Sequence, residues 1–134
     1  MRYLIDTSIY AQPLRKNPLQ QVLERWQQVG FDATAVSIVT EAEVLSGLYL
    51  HGGERRFHYY QNSLRDRVQI LNVDPPVARL YARLKARQTR MNLPLPENDL
   101  FVAATAKAHG LTVATLNRKS FEQIEGLTWE DWSR

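Results

Sequence analysis

The chain has 134 residues, which is enough for one domain whose core needs no covalent crosslink. It contains no cysteine, and this excludes disulfides, thiolate zinc sites and cysteine nucleophiles. The formal net charge of +3 is compatible with a polyanionic partner without identifying one, and no apolar run approaches the length of a membrane span.

The first half of the chain predicts two strands and three helices. Residues 3–5 form an apolar run suited to a buried strand, and residues 17–30 place apolar side chains at helical spacing. Residues 32–39 predict a second strand, and residues 40–50 continue it as a helix that ends at a glycine pair. Residues 54–67 predict a further helix.

The second half predicts the same alternation of strands and helices. Its predicted elements are a strand over 68–73, a helix over 77–90, a proline-bearing loop over 91–98, a helix over 99–110, a strand over 111–115 and a short edge strand within 126–132. Strands that alternate with helices predict a parallel sheet covered on both faces. We therefore expect a single-domain α/β/α sandwich over residues 1–134, with a central parallel sheet of four to five strands.

Asp6 directly follows the first predicted strand. In an open α/β sheet the ligand crevice lies at the carboxyl ends of the strands, so this carboxylate is placed to face a site. Asp6 is equally suited to start a turn or to cap the next segment of the chain, with Thr7 and Ser8 helping. Taken alone, the residue favours the structural role.

Two further acids lie where a surface charge is least expected. Glu43 lies in a mostly apolar helical stretch, where a buried carboxylate needs a cation or a metal, although an ordinary helical ion pair also explains it and Glu41 competes as the more exposed acid. Asp99 opens a nearly uncharged helix, where the helix dipole alone favours an acid. Together the three acids belong to separate βα units, and their carboxylates predict a site for a hard cation, Mg²⁺ or Mn²⁺, that acts on phosphate.

Three blocks of the chain resemble a known family. The segments LIDTSIY, VSIVTEAEVLSGL and LPENDLFVAATAKAHGLTVATLNRKSFEQIEGLTWEDW are similar to PIN-domain ribonucleases, most closely the VapC-type toxins of bacterial toxin–antitoxin pairs. The resemblance implies that Asp6, Glu43 and Asp99 bind the metal. It implies that Asn117 occupies a catalytic position that is an acid in some members, and Ser120 stands where many members have an acid or a histidine.

Hydroxyl and basic side chains surround these positions in the sequence. Thr7 and Thr115 are candidates for orienting a ligand or a water, and ending a strand with a turn explains them as well. Arg118 and Lys119, next to Asn117, are the best-placed candidates for RNA contact. Two other basic groups stay open as RNA contacts or as solvated faces: Arg79, Arg83, Arg87 and Arg90 in one helix, and Arg55, Arg56, Arg65 and Arg67 in another.

The resemblance implies a metal-dependent endoribonuclease that uses Mg²⁺, with Mn²⁺ as an alternative, and cleaves a structured RNA such as tRNA or rRNA. It also implies a homodimer held inactive by a cognate antitoxin bound to helices around 26–30 and 39–49. The beginning of the chain lacks a signal-peptide pattern, so we expect a cytoplasmic protein without a membrane partner. Two alternatives remain: an RNA-maturation nuclease without an antitoxin, and a binding module on the same fold with weak catalysis.

Overall fold

The structure is a computed structural model that describes residues 1–134. Its five strands are β1 (Tyr3–Ile5), β2 (Thr34–Ser37), β3 (Gln69–Leu71), β4 (Thr112–Thr115) and β5 (Trp129–Asp131). Its seven α-helices are α1 (Thr7–Tyr10), α2 (Gln20–Val29), α3 (Ile38–Gly47), α4 (Gly53–Tyr59), α5 (Pro75–Arg90), α6 (Glu97–His109) and α7 (Arg118–Phe121). None of the helices is both long and apolar enough to cross a membrane.

All five strands join in one parallel sheet. Its order is β3-β2-β1-β4-β5, so the chain first builds outward from β1 on one side and then returns to build on the other side. The three central strands, β1, β2 and β4, are almost fully buried because both faces of the sheet are covered. The predicted parallel sheet is confirmed, and it includes the expected edge strand near the carboxyl terminus.

Alternate strand residues point into two separate cores. Tyr3 and Ile5 pack with Trp26 and Tyr60 in the layer formed by α1 to α4. Leu4 lies between them in the sequence and packs instead in the layer formed by α5, α6 and α7. The predicted sandwich with helices on both faces is confirmed.

The boundaries around α3 and α4 differ from the prediction. The second strand ends at Ser37, because the Ser37 hydroxyl accepts a hydrogen bond from the backbone N–H of Val39 at 3.1 Å and starts the helix there. A π-helical stretch, Leu48–Gly52, extends α3 to the glycine pair, where Gly53 has a φ of 71° and breaks the helical path before α4, as the sequence predicted. A second π-helical stretch, Tyr60–Leu64, continues α4. The one-turn helices α1 and α7 were not predicted.

The ends of the two longest helices follow local sequence rules. The Asp74 carboxylate caps α5 by accepting a hydrogen bond from the N–H of Val77 at 3.1 Å, and Pro75 stands where a helix does not need its missing N–H. Helix α6 ends at Gly110, which has a φ of 66°, a conformation that glycine adopts without strain. These ends place α5 and α6 side by side on one face of the sheet.

Candidate active site

The candidate site lies where the strand order reverses. The neighbours β1 and β4 have successors on opposite sides of the sheet, which opens a crevice at their carboxyl ends. Asp6 follows the last residue of β1, and Asn117 lies two residues after the end of β4. The fold therefore brings the two ends of the sequence to one edge of the sheet.

Two hydroxyl groups hold the Asp6 carboxylate. Ser8 donates to Oδ1 and Thr115 donates to Oδ2, each at 2.5 Å. The same hydroxyl oxygens accept hydrogen bonds from the turn after β4, Ser8 from the N–H of Leu116 at 3.0 Å and Thr115 from the N–H of Asn117 at 2.8 Å. Asp6 is thus oriented by side chains that are themselves anchored to backbone.

Burial governs the acidity of Asp6. The side chain is almost fully enclosed, and its desolvation raises the pKa of Asp6 to about 6. The hydrogen bonds from Ser8 and Thr115 oppose this rise, whereas the charge of Asp99 adds to it. No basic side chain pairs with Asp6. The chain therefore keeps a carboxylate in a buried position without neutralising it.

The expected burial of the two α3 glutamates is reversed. Glu43 is exposed, and Glu41 is the buried residue, with 6% of its surface accessible. Periodicity in a largely apolar stretch did not fix which side of α3 faces the core, and this caused the error. Glu43 accepts a hydrogen bond from the Thr7 hydroxyl, which links α3 to the first residue of α1.

Glu41, and not Glu43, forms an ion pair, and its partner lies outside α3. Its Oε2 accepts from the Nε of Arg65 at 2.7 Å and from the Tyr60 hydroxyl at 2.6 Å. The Tyr10 hydroxyl in turn donates to that of Tyr60 at 3.2 Å. This network leaves the Glu41 charge neutralised beneath the site and ties α1 to α3. Sequence reasoning missed it because its partner Arg65 lies 24 positions away.

Asp99 completes the group of carboxylates. It is half-buried in the first turn of α6, and burial raises its pKa, as does the charge of Glu43 to a smaller degree. The Ser120 hydroxyl lies close enough to favour the charged form of Asp99 and so opposes that rise. In addition to burial, the charge of Glu43 raises the pKa of Asp99, and the charge of Asp99 raises the pKa of Asp6. The three acids therefore influence one another electrostatically.

The turn after β4 supplies the remaining predicted residues. Asn117 is exposed, and its Nδ2 donates to the Ser120 hydroxyl at 3.5 Å, a long contact. Ser120 is buried in α7 and links Asn117 with Asp99. Arg118 and Lys119 are exposed at the start of α7 without an ion-pair partner. Ser120 and Asn117 therefore adjoin Asp99, whereas the carboxylate that the charge of Arg118 influences is Asp131.

The donor chemistry of the site fits a hard divalent cation. Asp6, Glu43 and Asp99 offer carboxylate oxygens, none of them takes part in an ion pair, and a cation would relieve the repulsion that raises the pKa of Asp6 and Asp99. Their grouping is looser than the sequence predicted, since no three acidic or histidine side chains lie close enough together to form a metal site by themselves. Hydrogen bonds to Ser8, Thr115 and Thr7 hold Asp6 and Glu43 in their present directions.

A groove adjoins the site along α1 and α3. Its volume is about 280 Å³. Thr7 and Glu43 line it together with apolar residues, Ala11, Leu14, Val44 and Leu48, and with basic residues, Arg15, His51 and Arg56. The groove includes part of the 39–49 stretch expected to receive a partner. It does not include residues 26–30, and Trp26 and Gln27 of that stretch line a separate cavity.

Comparison with known sequences places the chain among toxins and ribonucleases. The family model for the PIN domain matches residues 3–127. Toxin FitB of Neisseria gonorrhoeae is 28% identical over 135 residues, covering 96% of this chain and 97% of that protein. Ribonuclease VapC2 of Haemophilus influenzae is 28% identical over 132 residues, with 98% of each chain covered. The tRNA(fMet)-specific endonuclease VapC of Shigella flexneri is 26% identical over 133 residues, with 99% of each covered.

Solved structures give the same assignment. The crystal structure of FitAcB from Neisseria gonorrhoeae matches with a TM-score of 0.89 at 27% identity, covering 98% of this chain and 99% of that one. DNA-bound VapBC from Salmonella typhimurium matches with a TM-score of 0.85 at 26% identity, with 98% of each chain covered. The match to the family model spans nearly the whole sequence and the fold agrees with it, so this chain belongs to the PIN domain family.

Proposed function

We propose that this protein is a metal-dependent endoribonuclease that acts as the toxin of a toxin–antitoxin pair. The observation that carries the proposal is the set of three carboxylates, Asp6, Glu43 and Asp99, which influence one another electrostatically near the carboxyl end of β1 and have no cationic partner. Buried or mutually repelling acids are retained where a site uses them. Relatives of this chain are named as a toxin and as a ribonuclease, and these names support both parts of the proposal.

The proposed cofactor is Mg²⁺, with Mn²⁺ as an alternative, held by Asp6, Asp99 and Glu43. When bound, such an ion activates water and neutralises charge that develops on the phosphate. Ser8 and Thr115 orient Asp6, Thr7 orients Glu43, and Ser120 supports Asp99. The side-chain carbonyl oxygen of Asn117 is the fourth potential ligand beside the three carboxylates, and it adds no negative charge. Arg118 and Lys119 contact the RNA backbone beside the site.

The proposed substrate is a structured RNA, tRNA or rRNA. A relative from Shigella flexneri is named as a tRNA(fMet)-specific endonuclease, which makes tRNA the first substrate to test. Structured RNA is recognised largely through its shape and its unpaired bases, and the exposed side chains beside the buried Asp6, namely Glu43 and Asn117, leave the site accessible to such a substrate.

The proposed inhibitor is a cognate antitoxin whose tail occupies the groove along α1 and α3. The apolar lining suits one face of an amphipathic helix, and Glu43 at the same groove suits a basic side chain of that tail. A tail in this position would cover Thr7 and Glu43 and so block the site. We further propose that the protein is a homodimer and that it acts in the cytoplasm.

Incubation of the purified chain with tRNA tests this function directly. Cleavage is expected with Mg²⁺ or Mn²⁺ and should stop when EDTA is added. Intact tRNA and rRNA in every metal condition would contradict the nuclease proposal and favour a binding module on the same fold. Co-expression with the adjacent reading frame tests the toxin role, because a cognate antitoxin should abolish cleavage, whereas an RNA-maturation nuclease would have no such neighbour.

A further inference from the structure

We propose that the outer face of α5 is a binding surface for the phosphate backbone of RNA, outside the cleavage site. The surface consists of Arg79, Arg83 and Arg90, here called the arginine ridge. This inference rests on the proposed ribonuclease function and extends it to a second contact region on the substrate.

The charge of α5 is unusually one-sided. Its residues 75–90 include five basic side chains and no acidic one, whereas the whole chain has a net charge of only +3, so the rest of the protein is net acidic. Arg79 and Arg83 are spaced four residues apart, where like charges on a helix repel. A solvated helix face usually intersperses both signs, and a polyanion would relieve this repulsion.

The ridge residues share one side of the helix. Positions 79, 83 and 90 fall within about 40° around the helix axis and span about 16 Å along it. All three are exposed, and none has an acidic partner. The neighbouring Ala82 and Ala86 are exposed and small, so no bulky side chain keeps a backbone away from the ridge.

The structure separates the ridge from the other basic residues. Arg87, on the same helix, is half-buried, and its guanidinium pairs with the Glu125 carboxylate at 2.8 Å. In the alternative basic group, Arg65 pairs with Glu41, and Arg67 lies over the Phe31 ring at 5.0 Å. Arg56 lines the groove beside α1. Two of the four members of that group therefore have partners, whereas none of the three ridge residues has an acidic partner.

The ridge lies on the helix that packs beside the Asp99 helix. Lys85 of α5 pairs with Glu97 in the first turn of α6, two residues before Asp99, and the Tyr81 ring stacks on that of Phe101 at 4.0 Å. Val77 and Leu84 face the core from the opposite side of α5. An RNA that enters the site beside α6 can therefore continue over the outer face of α5.

The test is RNA binding across a salt series, measured with a fluorescently labelled synthetic RNA hairpin in EDTA so that no cleavage occurs. The ridge variant is Arg83→Gln with Arg90→Gln, which removes two charges and retains helix propensity. The matched control is Arg2→Gln with Lys16→Gln, which removes two exposed charges that have no acidic partner and lie outside α5. Circular dichroism establishes that both variants are folded, and tRNA cleavage by the wild type with Mn²⁺ is measured in parallel.

We expect the ridge variant to bind the hairpin more weakly and to lower the slope of log affinity against log salt by about 1.4, which is about 0.7 for each of the two phosphate contacts removed if the strand is unpaired there. The control should keep the wild-type slope. An unchanged slope in the ridge variant, with a wild type that cleaves tRNA, would overturn the ridge and leave the nuclease function standing. A wild type that neither binds nor cleaves RNA would overturn both. Equal slope losses in the two double variants would also overturn the ridge, because they indicate binding by net charge alone.

Discussion

Two glutamates on α3, only two positions apart, show how differently the chain treats its acids. Glu41 is buried and receives hydrogen bonds from Arg65 and Tyr60. Glu43 is exposed and receives only the Thr7 hydroxyl. Around Glu41 the fold neutralises the charge, whereas at the edge with Glu43, Asp6 and Asp99 it leaves charge uncompensated and even lets neighbouring carboxylates repel each other.

This difference separates stability from function. A neutralised buried acid serves the architecture, because removing its partner would leave a buried charge. A group of uncompensated acids makes the folded chain less stable at neutral pH and is retained where a ligand supplies the missing charge. Changes in the Glu41 network should therefore affect mainly folding, and changes at the sheet edge should affect mainly chemistry.

The largest expected effect is the loss of RNA cleavage on changing the strand-end acids. Asp6→Asn and Asp99→Asn should each lower the rate of tRNA cleavage by at least about 100-fold, the scale for removing one electrostatic group from a site. Both variants should remain folded, because each loses a repelling charge. Single-turnover cleavage with Mg²⁺ measures the rate, and a variant that cleaves as fast as the wild type does not carry a site residue.

The pH dependence of stability is expected to change next most strongly. Burial raises the pKa of Asp6 to about 6, so the native state holds a proton more tightly than the unfolded chain does. Protonated Asp6 therefore adds to the free energy of unfolding. This contribution is fully present below about pH 4, is lost as the pH rises through about 6, and amounts to up to about 3 kcal/mol. Asp6→Asn should remove this dependence.

Urea unfolding in EDTA from about pH 4 to about pH 7.5 tests this prediction, because EDTA removes the contribution of bound metal. The Asn variant should match the wild type at the acid end of this range and exceed it at the alkaline end. If the free energies of unfolding of the wild type and of Asp6→Asn change with pH in parallel over the whole range, burial does not raise the pKa of Asp6.

The Glu41 network should show the reverse pattern. Glu41→Gln and Tyr60→Phe each leave a buried polar group with a poorer partner and should lower the free energy of unfolding by about 1–3 kcal/mol. Thermal unfolding followed by circular dichroism measures the loss. Tyr59→Phe is the matched control, since its hydroxyl has no part in the network, and an equal loss there would remove the special role of Tyr60.

The smallest expected effect concerns Asn117. Asn117→Asp adds a fourth carboxylate at the corner near Ser120, so we expect Mn²⁺ affinity to rise roughly 3- to 10-fold. Calorimetric titration of the metal into the protein measures it. An affinity equal to that of the wild type would place Asn117 away from the ion, in keeping with its exposed position.

The fold was largely readable from the sequence because its signals are local. Short apolar runs predict the strands. Asp74 predicts the start of α5 and Gly110 predicts the end of α6, each from a few neighbouring residues. The π-helical stretches Leu48–Gly52 and Tyr60–Leu64 were not readable, because π-helix is rare and the spacing of apolar residues predicts only a helix in general.

The candidate site was readable as a set of residue types but not as a geometry. Strand ends predicted where Asp6 would lie, the apolar settings of Glu43 and Asp99 singled these two acids out, and the family resemblance then implied that all three bind the metal. The burial of α3 could not be read, since it depends on Tyr60 and Arg65, which come from a distant part of the chain. The double role of Ser8 was also missed, although a hydroxyl two residues after an aspartate is a signal for such a contact.

The measurement that tests this account most directly compares tRNA cleavage by Glu43→Gln and Glu41→Gln. Both variants make the same chemical change on the same helix two residues apart, so general effects of losing a glutamate are matched. We predict that Glu43→Gln cuts cleavage by at least about 100-fold while remaining as stable as the wild type. Glu41→Gln should lose stability but retain most of the cleavage rate below its unfolding temperature. Wild-type cleavage by Glu43→Gln, or equal losses of cleavage in both variants, would contradict the claim that the uncompensated acids form the active site.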